Sequence, residues 1–202
     1  MSSLAAIGFR AHSGWAAAVA VTRGSGELDV PAVVMRRRIE MVDRGIAGAS
    51  QPYHAAVGLD IRDAERLIEN CVTRAAALAG EALAAIIDDL RQLGHRVAAC
   101  GLLLASGRTL PGLESILSSH ALIHTAEGEL FRDALRAASR ESGLPVTEAK
   151  ERELFTRAAA DLHLPAGELE RHVAAMGKAM GPPWRQDEKL AAVAAWLALG
   201  AL

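Results

Sequence analysis

Apolar residues gather in three short runs near the start of the chain, and these predict three β-strands. Residues 4–9 and 15–21 are almost entirely apolar, as in strands that are covered on both faces of a sheet. Residues 33–42 alternate apolar and charged positions, which is typical of a strand with one solvated face. Turn residues at 12–14 and 23–26 connect them, so the three strands should pair as antiparallel hairpins.

A helical period replaces the strand pattern after a loop at residues 44–58. Apolar residues recur every three or four positions from Ile68 to Leu93, which keeps one face of a long helix apolar. Asp60 is its predicted N-cap, and Gly94 marks its predicted end. The same rules predict a buried strand, a second long helix, a short strand and three closing helices, at residues 96–105, 113–141, 144–149, 151–162, 166–180 and 185–202.

This order of elements predicts an α/β fold. Three antiparallel strands come first, and two further strands are each entered through a helix, which gives right-handed parallel crossovers. We therefore expect a five-stranded mixed sheet with helices on both faces, in a single domain covering residues 1–202. Residues 1–150 would form the sheet and its crossover helices, and residues 151–202 a helical C-terminal extension.

Composition and charge limit the classes of protein. Hydrophobic residues make up 51% of the 202 residues, alanine alone accounts for 42, and the formal charge is -2, which excludes a disordered chain. The near-neutral charge also argues against a protein that coats nucleic acid. Cys71 and Cys100 are lone thiols, which favours the reducing cytoplasm. The longest apolar run, 190–202, is shorter than the ~20 residues of a membrane span, and no secretory signal precedes it.

The predicted topology resembles the ribonuclease-H-like superfamily, and within it the bacterial Holliday-junction resolvase branch. The resemblance rests on the Ile7-Gly8-Phe9 run of the first strand, the long crossover helix, the buried strand near Leu102, and a terminal helix that carries Asp187. It implies a nucleic acid as the ligand, and it implies nuclease chemistry in which carboxylates hold two divalent metal ions.

The residues at the metal-binding positions implied by this resemblance differ in the present chain. Arg10 stands where the first strand would end in a metal-binding aspartate, and residues 104–108 hold no carboxylate at the end of the fourth strand. Asp187, followed by Glu188, is the acid that remains near a family position. Two-metal chemistry needs several carboxylates around cations about 4 Å apart. The sequence therefore predicts a divergent member without standard two-metal chemistry.

Three polar residues lie on the otherwise apolar face of the second long helix. His120, His124 and Glu127 are one turn apart, so their side chains can converge. Two imidazoles and a carboxylate suit zinc or iron, and they equally suit an acid–base pair. A buried polar network without catalytic function is the third interpretation. A divalent metal is thus a possible cofactor, and its identity stays open.

Other candidate ligand-binding residues lie at predicted strand ends and in the long loop. Arg10 and His12 follow the first strand and Arg108 follows the central one, where ligands of open α/β sheets bind. Arginine pairs can hold a phosphate or carboxylate bidentately. Tyr53 and His54 lie in the loop at residues 44–58, and long loops often carry function. Ordinary solvated charge is the alternative for each group.

Three functional hypotheses follow. The first is a ribonuclease-H-like protein that binds a nucleotide or a nucleic-acid-like anion at the strand ends. The second is a metal-dependent hydrolase or nuclease that uses Glu127, Asp187, His120 and His124. The third is a non-catalytic interaction module that forms a homodimer through an edge strand or an alanine-rich helix. None of the three requires a membrane.

Overall fold

The computed structural model, which describes residues 3–24, 31–105, 109–165 and 167–202, confirms the predicted mixed sheet. The strands are β1 Ser3–His12, β2 Trp15–Thr22, β3 Ala32–Glu40, β4 His95–Leu104 and β5 Val146–Lys150. They lie in the order β3-β2-β1-β4-β5. β1 pairs with β2 and β2 with β3 antiparallel, whereas β4 pairs parallel with β1 and β5. Residues 25 and 26 of the predicted second turn lie outside the described residues.

The helices agree with the predicted order except in two places. The loop before Asp60 contains a short helix, and the helix predicted at residues 113–141 is two helices separated by Ser118 and Ser119. The Ser118 hydroxyl donates to the Ser115 carbonyl, and serines compete in this way with helical backbone hydrogen bonds. The helices are α1 Pro52–Ala55, α2 Ile61–Gln92, α3 Leu113–Leu117, α4 His120–Glu141, α5 Leu154–Asp161, α6 Glu168–Met180 and α7 Gln186–Gly200.

The long helix α2 covers one face of the sheet together with α4. Asp60 is its N-cap, because its side chain accepts a hydrogen bond from the Arg62 N–H. Among the described helices, α2 alone is long and apolar enough to cross a membrane. However, its buried residues recur every three or four positions and pack on the sheet, as in a core helix.

The opposite face of the sheet is covered by α7, which approaches it unusually closely. Gly8 of β1 and Gly101 of β4 are neighbours in register, and both lie beneath α7. A β-carbon at Gly8 would lie 1.9 Å from the Ala191 carbonyl oxygen, and one at Gly101 would lie 2.1 Å from that of Ala194. The α7 backbone thus rests directly on the sheet, while α5 and α6 pack against the outside of α7.

We expect Gly8→Ala to destabilise the protein, because its β-carbon collides with helix backbone that cannot rotate away. Overpacking of a core typically costs about 1–3 kcal/mol, and this site belongs at or above the upper end. Gly80→Ala is the matched control, since nothing lies within 4 Å of a β-carbon at that helical position. There alanine should stabilise the fold by roughly 0.5–1 kcal/mol. The free energy of unfolding, measured by denaturant titration, reports both effects. Equal free energies for the two variants would contradict the close contact between α7 and the sheet.

Candidate functional site

Four side chains form an ion-pair cluster at the carboxyl end of β1, which we call the strand-end cluster: Arg10, His12, Glu151 and Asp187. The Arg10 guanidinium donates from Nε and Nη2 to the Glu151 carboxylate at 3.1 and 3.0 Å. Its Nη1 donates to the Asp187 carboxylate. Arg10 is therefore held by two carboxylates at once, and its side chain is only 20% exposed.

The topology of the sheet explains why these residues meet. β1, β4 and β5 are parallel, so their carboxyl ends share one edge of the sheet. Arg10 lies near the end of β1, Glu151 directly follows β5, and Asp187 lies in the first turn of α7. Glu151 is not among the candidate residues predicted from the sequence. Its position immediately after a parallel strand was the signal that could have identified it.

His12 contacts Asp187 of the cluster, and its ring packs against Trp15. Its Nε2 lies 2.9 Å from Asp187 Oδ1, and its ring stacks on Trp15 with centroids 4.2 Å apart. Partial burial, and then the positive charge of Arg10, lower the pKa of His12 below the ordinary value of 6.5. The neutral imidazole therefore predominates at pH 7.

A basic groove, lined by Trp15, Arg36, Arg38 and Arg185, continues from the strand-end cluster along the same face of the sheet. The Arg38 guanidinium lies 3.7 Å from the centroid of the Trp15 ring, a cation–π contact. Arg36 donates to the Gly181 carbonyl at 2.9 Å and so holds the segment that leads into α7. The carboxylates of Asp187 and Glu188 also line the groove, so its arginines lie beside two acids at the end that meets the strand-end cluster.

A second cluster, the histidine cluster, lies on the other face of the sheet: His54, His120, His124 and Glu127. The Nε2 atoms of His120 and His124 are 3.0 Å apart, and the ring centroids of His54 and His124 are 4.8 Å apart. Glu127 is 1% exposed and accepts two hydrogen bonds from His54. One comes from Nδ1 at 2.9 Å and the other from the backbone N–H at 3.1 Å.

Tyr53 fixes the position of His54. Its half-buried ring packs between three groups of apolar side chains, on α2, on α3 and at the start of α4. Burial raises the pKa of the Tyr53 hydroxyl above its ordinary value. The ring anchors the short helix α1, and α1 in turn directs His54 at Glu127.

Comparison with known proteins gives a fold and no close relative. No protein-family model matches the chain, and no curated protein matches it. Among the solved structures similar to it, two match over 96% of its length. Thermus thermophilus RuvC has 12% sequence identity, 92% of that chain is covered, and the TM-score is 0.53. T. thermophilus RuvC in complex with a Holliday junction substrate has 11% identity, 91% of that chain is covered, and the TM-score is 0.54. The chain has the ribonuclease-H-like fold of RuvC. At this identity the similarity establishes the fold alone.

Within this RuvC-like fold, the residues selected from the sequence fall into two separate groups. Asp187 and Arg10 lie on the face covered by α7, whereas Glu127 lies on α4 at the opposite face. The four residues of the predicted hydrolase site are therefore not brought together. Arg10 already binds two carboxylates, so its guanidinium is not available as the predicted anion clamp. Its predicted partner Arg108 lies outside the described residues.

The sequence pattern groups His54 with Tyr53 in the long loop, and Glu127 with the two histidines of its own helix. The structure adds His54 to that second group. His54 and Glu127 are 73 residues apart, and no local period connects them. The only available signal was chemical, since a buried glutamate needs a hydrogen-bonding partner from elsewhere in the fold.

We expect Arg10→Gln to raise the pKa of His12. The change removes a positive charge that disfavours the imidazolium, and it leaves Asp187 free to stabilise that ion. The titration of the His12 ring protons by NMR measures the shift. Arg37→Gln is the control, because Arg37 pairs with Asp89 of α2. An unchanged His12 pKa in Arg10→Gln would show that the guanidinium does not act on this histidine.

Proposed function

We propose that the chain binds the phosphates of a nucleic acid or nucleotide at the basic groove beside the strand-end cluster, and that it does so without two-metal cleavage. One observation carries the absence of two-metal cleavage: the Arg10 guanidinium lies between the carboxylates of Asp187 and Glu151. A nuclease of this fold would need cations between such acids. Here a side chain of the protein supplies the positive charge instead.

Electrostatic repulsion disfavours a divalent ion between Asp187 and Glu151 while Arg10 occupies that place. Two unit charges 4 Å apart interact by about 4 kcal/mol at an effective dielectric constant of 20, and a divalent ion doubles the repulsion from a guanidinium. Both carboxylates are also already engaged by Arg10. Mg²⁺, which prefers oxygen ligands, is therefore repelled by the guanidinium at this edge of the sheet, and the carboxylates that could bind it are already paired.

The basic groove supports a phosphate-bearing ligand. Arg38 and Arg185 line it, so two guanidinium groups can contact phosphate oxygens. The Trp15 ring, which stacks on His12, lies under Arg38 and holds that guanidinium in place. The net charge of the chain is -2, so attraction must come from this local surface. One of the similar solved structures is a RuvC bound to a Holliday junction, which supports a branched DNA as the first ligand to test.

We expect the protein to bind a labelled four-way DNA junction in EDTA and to leave it uncut when Mg²⁺ is added. Replacing both Arg38 and Arg185 by glutamine should weaken binding about tenfold and lower the slope of log affinity against log salt by 1 to 2. Fluorescence anisotropy measures affinity, and gel electrophoresis measures cleavage.

Arg62→Gln is the control for this experiment, because Arg62 is exposed in the first turn of α2 on the opposite face. A linear duplex and a nucleoside triphosphate, assayed in parallel, distinguish branched DNA from a general phosphate ligand. Mg²⁺-dependent cleavage that is lost in Asp187→Asn would contradict the proposal, and so would the absence of binding to all three ligands.

Arg10→Asp tests whether the Arg10 guanidinium takes the place of a metal ion between Asp187 and Glu151. It brings a third carboxylate towards Asp187 and Glu151, so repulsion should lower the melting temperature in EDTA. Mg²⁺ should then raise that temperature by several degrees, because it binds the folded form of the variant. The wild type should show no such increase, and Arg10→Gln, which frees two carboxylates but adds no third, should show a smaller one. A Mg²⁺-dependent increase of the same size in the wild type would show that Arg10 does not exclude the ion.

A further inference from the structure

We propose that His54, His120 and His124 together bind one transition-metal ion, with Zn²⁺ as the reference ion, and that Glu127 orients the site without ligating the metal. This site lies on the opposite face of the sheet from the strand-end cluster. It is therefore independent of the nucleic-acid binding proposed above.

The spacing of the imidazole nitrogens fits a single ion. One ring nitrogen from each of the three histidines lies within 4.8 Å of the others, and the closest pair is 3.0 Å apart. Ligands 2.0–2.1 Å from a tetrahedral zinc are roughly 3.4 Å apart, so only small ring rotations are needed. The rings meet edge to face at interplanar angles of 62° to 81°, so no two of them are stacked.

Glu127 determines which nitrogen of His54 is available to the metal. Its carboxylate accepts a hydrogen bond from His54 Nδ1 at 2.9 Å, which places the ring proton on Nδ1. Nε2 of His54 then carries a lone pair. A carboxylate that holds the far nitrogen of a ligating histidine is the usual partner in metal sites, since it orients the ring and raises its basicity. This function also accounts for a glutamate that is 1% exposed.

The donor set selects the class of ion. Three imidazoles favour zinc, copper, nickel or cobalt, whereas magnesium and calcium prefer oxygen ligands. His120 and His124 are exposed, so solvent reaches the site. Three protein ligands with solvent access leave a fourth position for water or another small ligand. In this proposal a guanidinium supplies the positive charge at one face of the sheet, and a metal ion bound by histidine nitrogens supplies it at the other.

The test uses protein without a histidine tag, stripped with a chelator and titrated with Zn²⁺ by calorimetry and with Co²⁺ by visible absorption. We expect one equivalent to bind. The double variant His120→Ala with His124→Ala should lose at least 100-fold in affinity, because only one ligand remains. Glu127→Gln should weaken binding by about 10- to 100-fold, the usual effect of losing such a partner.

His163→Asn is the matched control. His163 is an exposed histidine outside the cluster, and asparagine tolerates its left-handed backbone conformation, so metal binding should be unchanged. Circular dichroism checks that each variant is folded, and exposed His120 and His124 can be replaced without opening the core. Absence of binding by the wild type would overturn the proposal. So would equal affinity of the wild type and the double variant.

Discussion

The contact between α7 and the sheet is the constraint on which the strand-end cluster depends. Helix backbone touches sheet backbone only because two glycines, Gly8 and Gly101, lie side by side beneath a run of alanines. The contact fixes both the height and the rotation of α7 above β1. The N-terminus of the helix then falls at the end of β1, where Asp187 meets Arg10. The 42 alanines of the chain are thus partly a requirement for close packing.

The two faces of the sheet use carboxylates for opposite purposes. At the strand-end cluster, Asp187 and Glu151 share one guanidinium, so a side chain of the protein supplies a positive charge between the two acids. In the histidine cluster, Glu127 accepts a hydrogen bond from Nδ1 of His54, which leaves a lone pair on Nε2. A carboxylate beside an arginine forms an ion pair with a side chain that is always charged. A carboxylate beside an imidazole fixes the tautomer and the orientation of that ring. The two sites therefore differ in the basic partner of the carboxylate and not in the acid itself.

The strands, their pairing and α2 could be predicted because each depends on local periodicity and short connections. The break at Ser118 and Ser119 could not, because an apolar period continues across it and only a side-chain hydrogen bond reveals the interruption. Prediction of the sites had the same limit. His120, His124 and Glu127 share one helix and were found together. His54 and Glu151 were missed as their partners because those contacts depend on the folded topology.

The position of α7 has a consequence for the order of folding. The segment that covers β1 is distant from it in sequence, since Gly8 lies against Ala191. During synthesis from the N-terminus, one face of β1 therefore stays uncovered until α7 has been made. Contacts this distant in sequence form slowly, and an open apolar sheet favours association in the meantime. The close packing of α7 on the sheet thus depends on a contact that forms slowly.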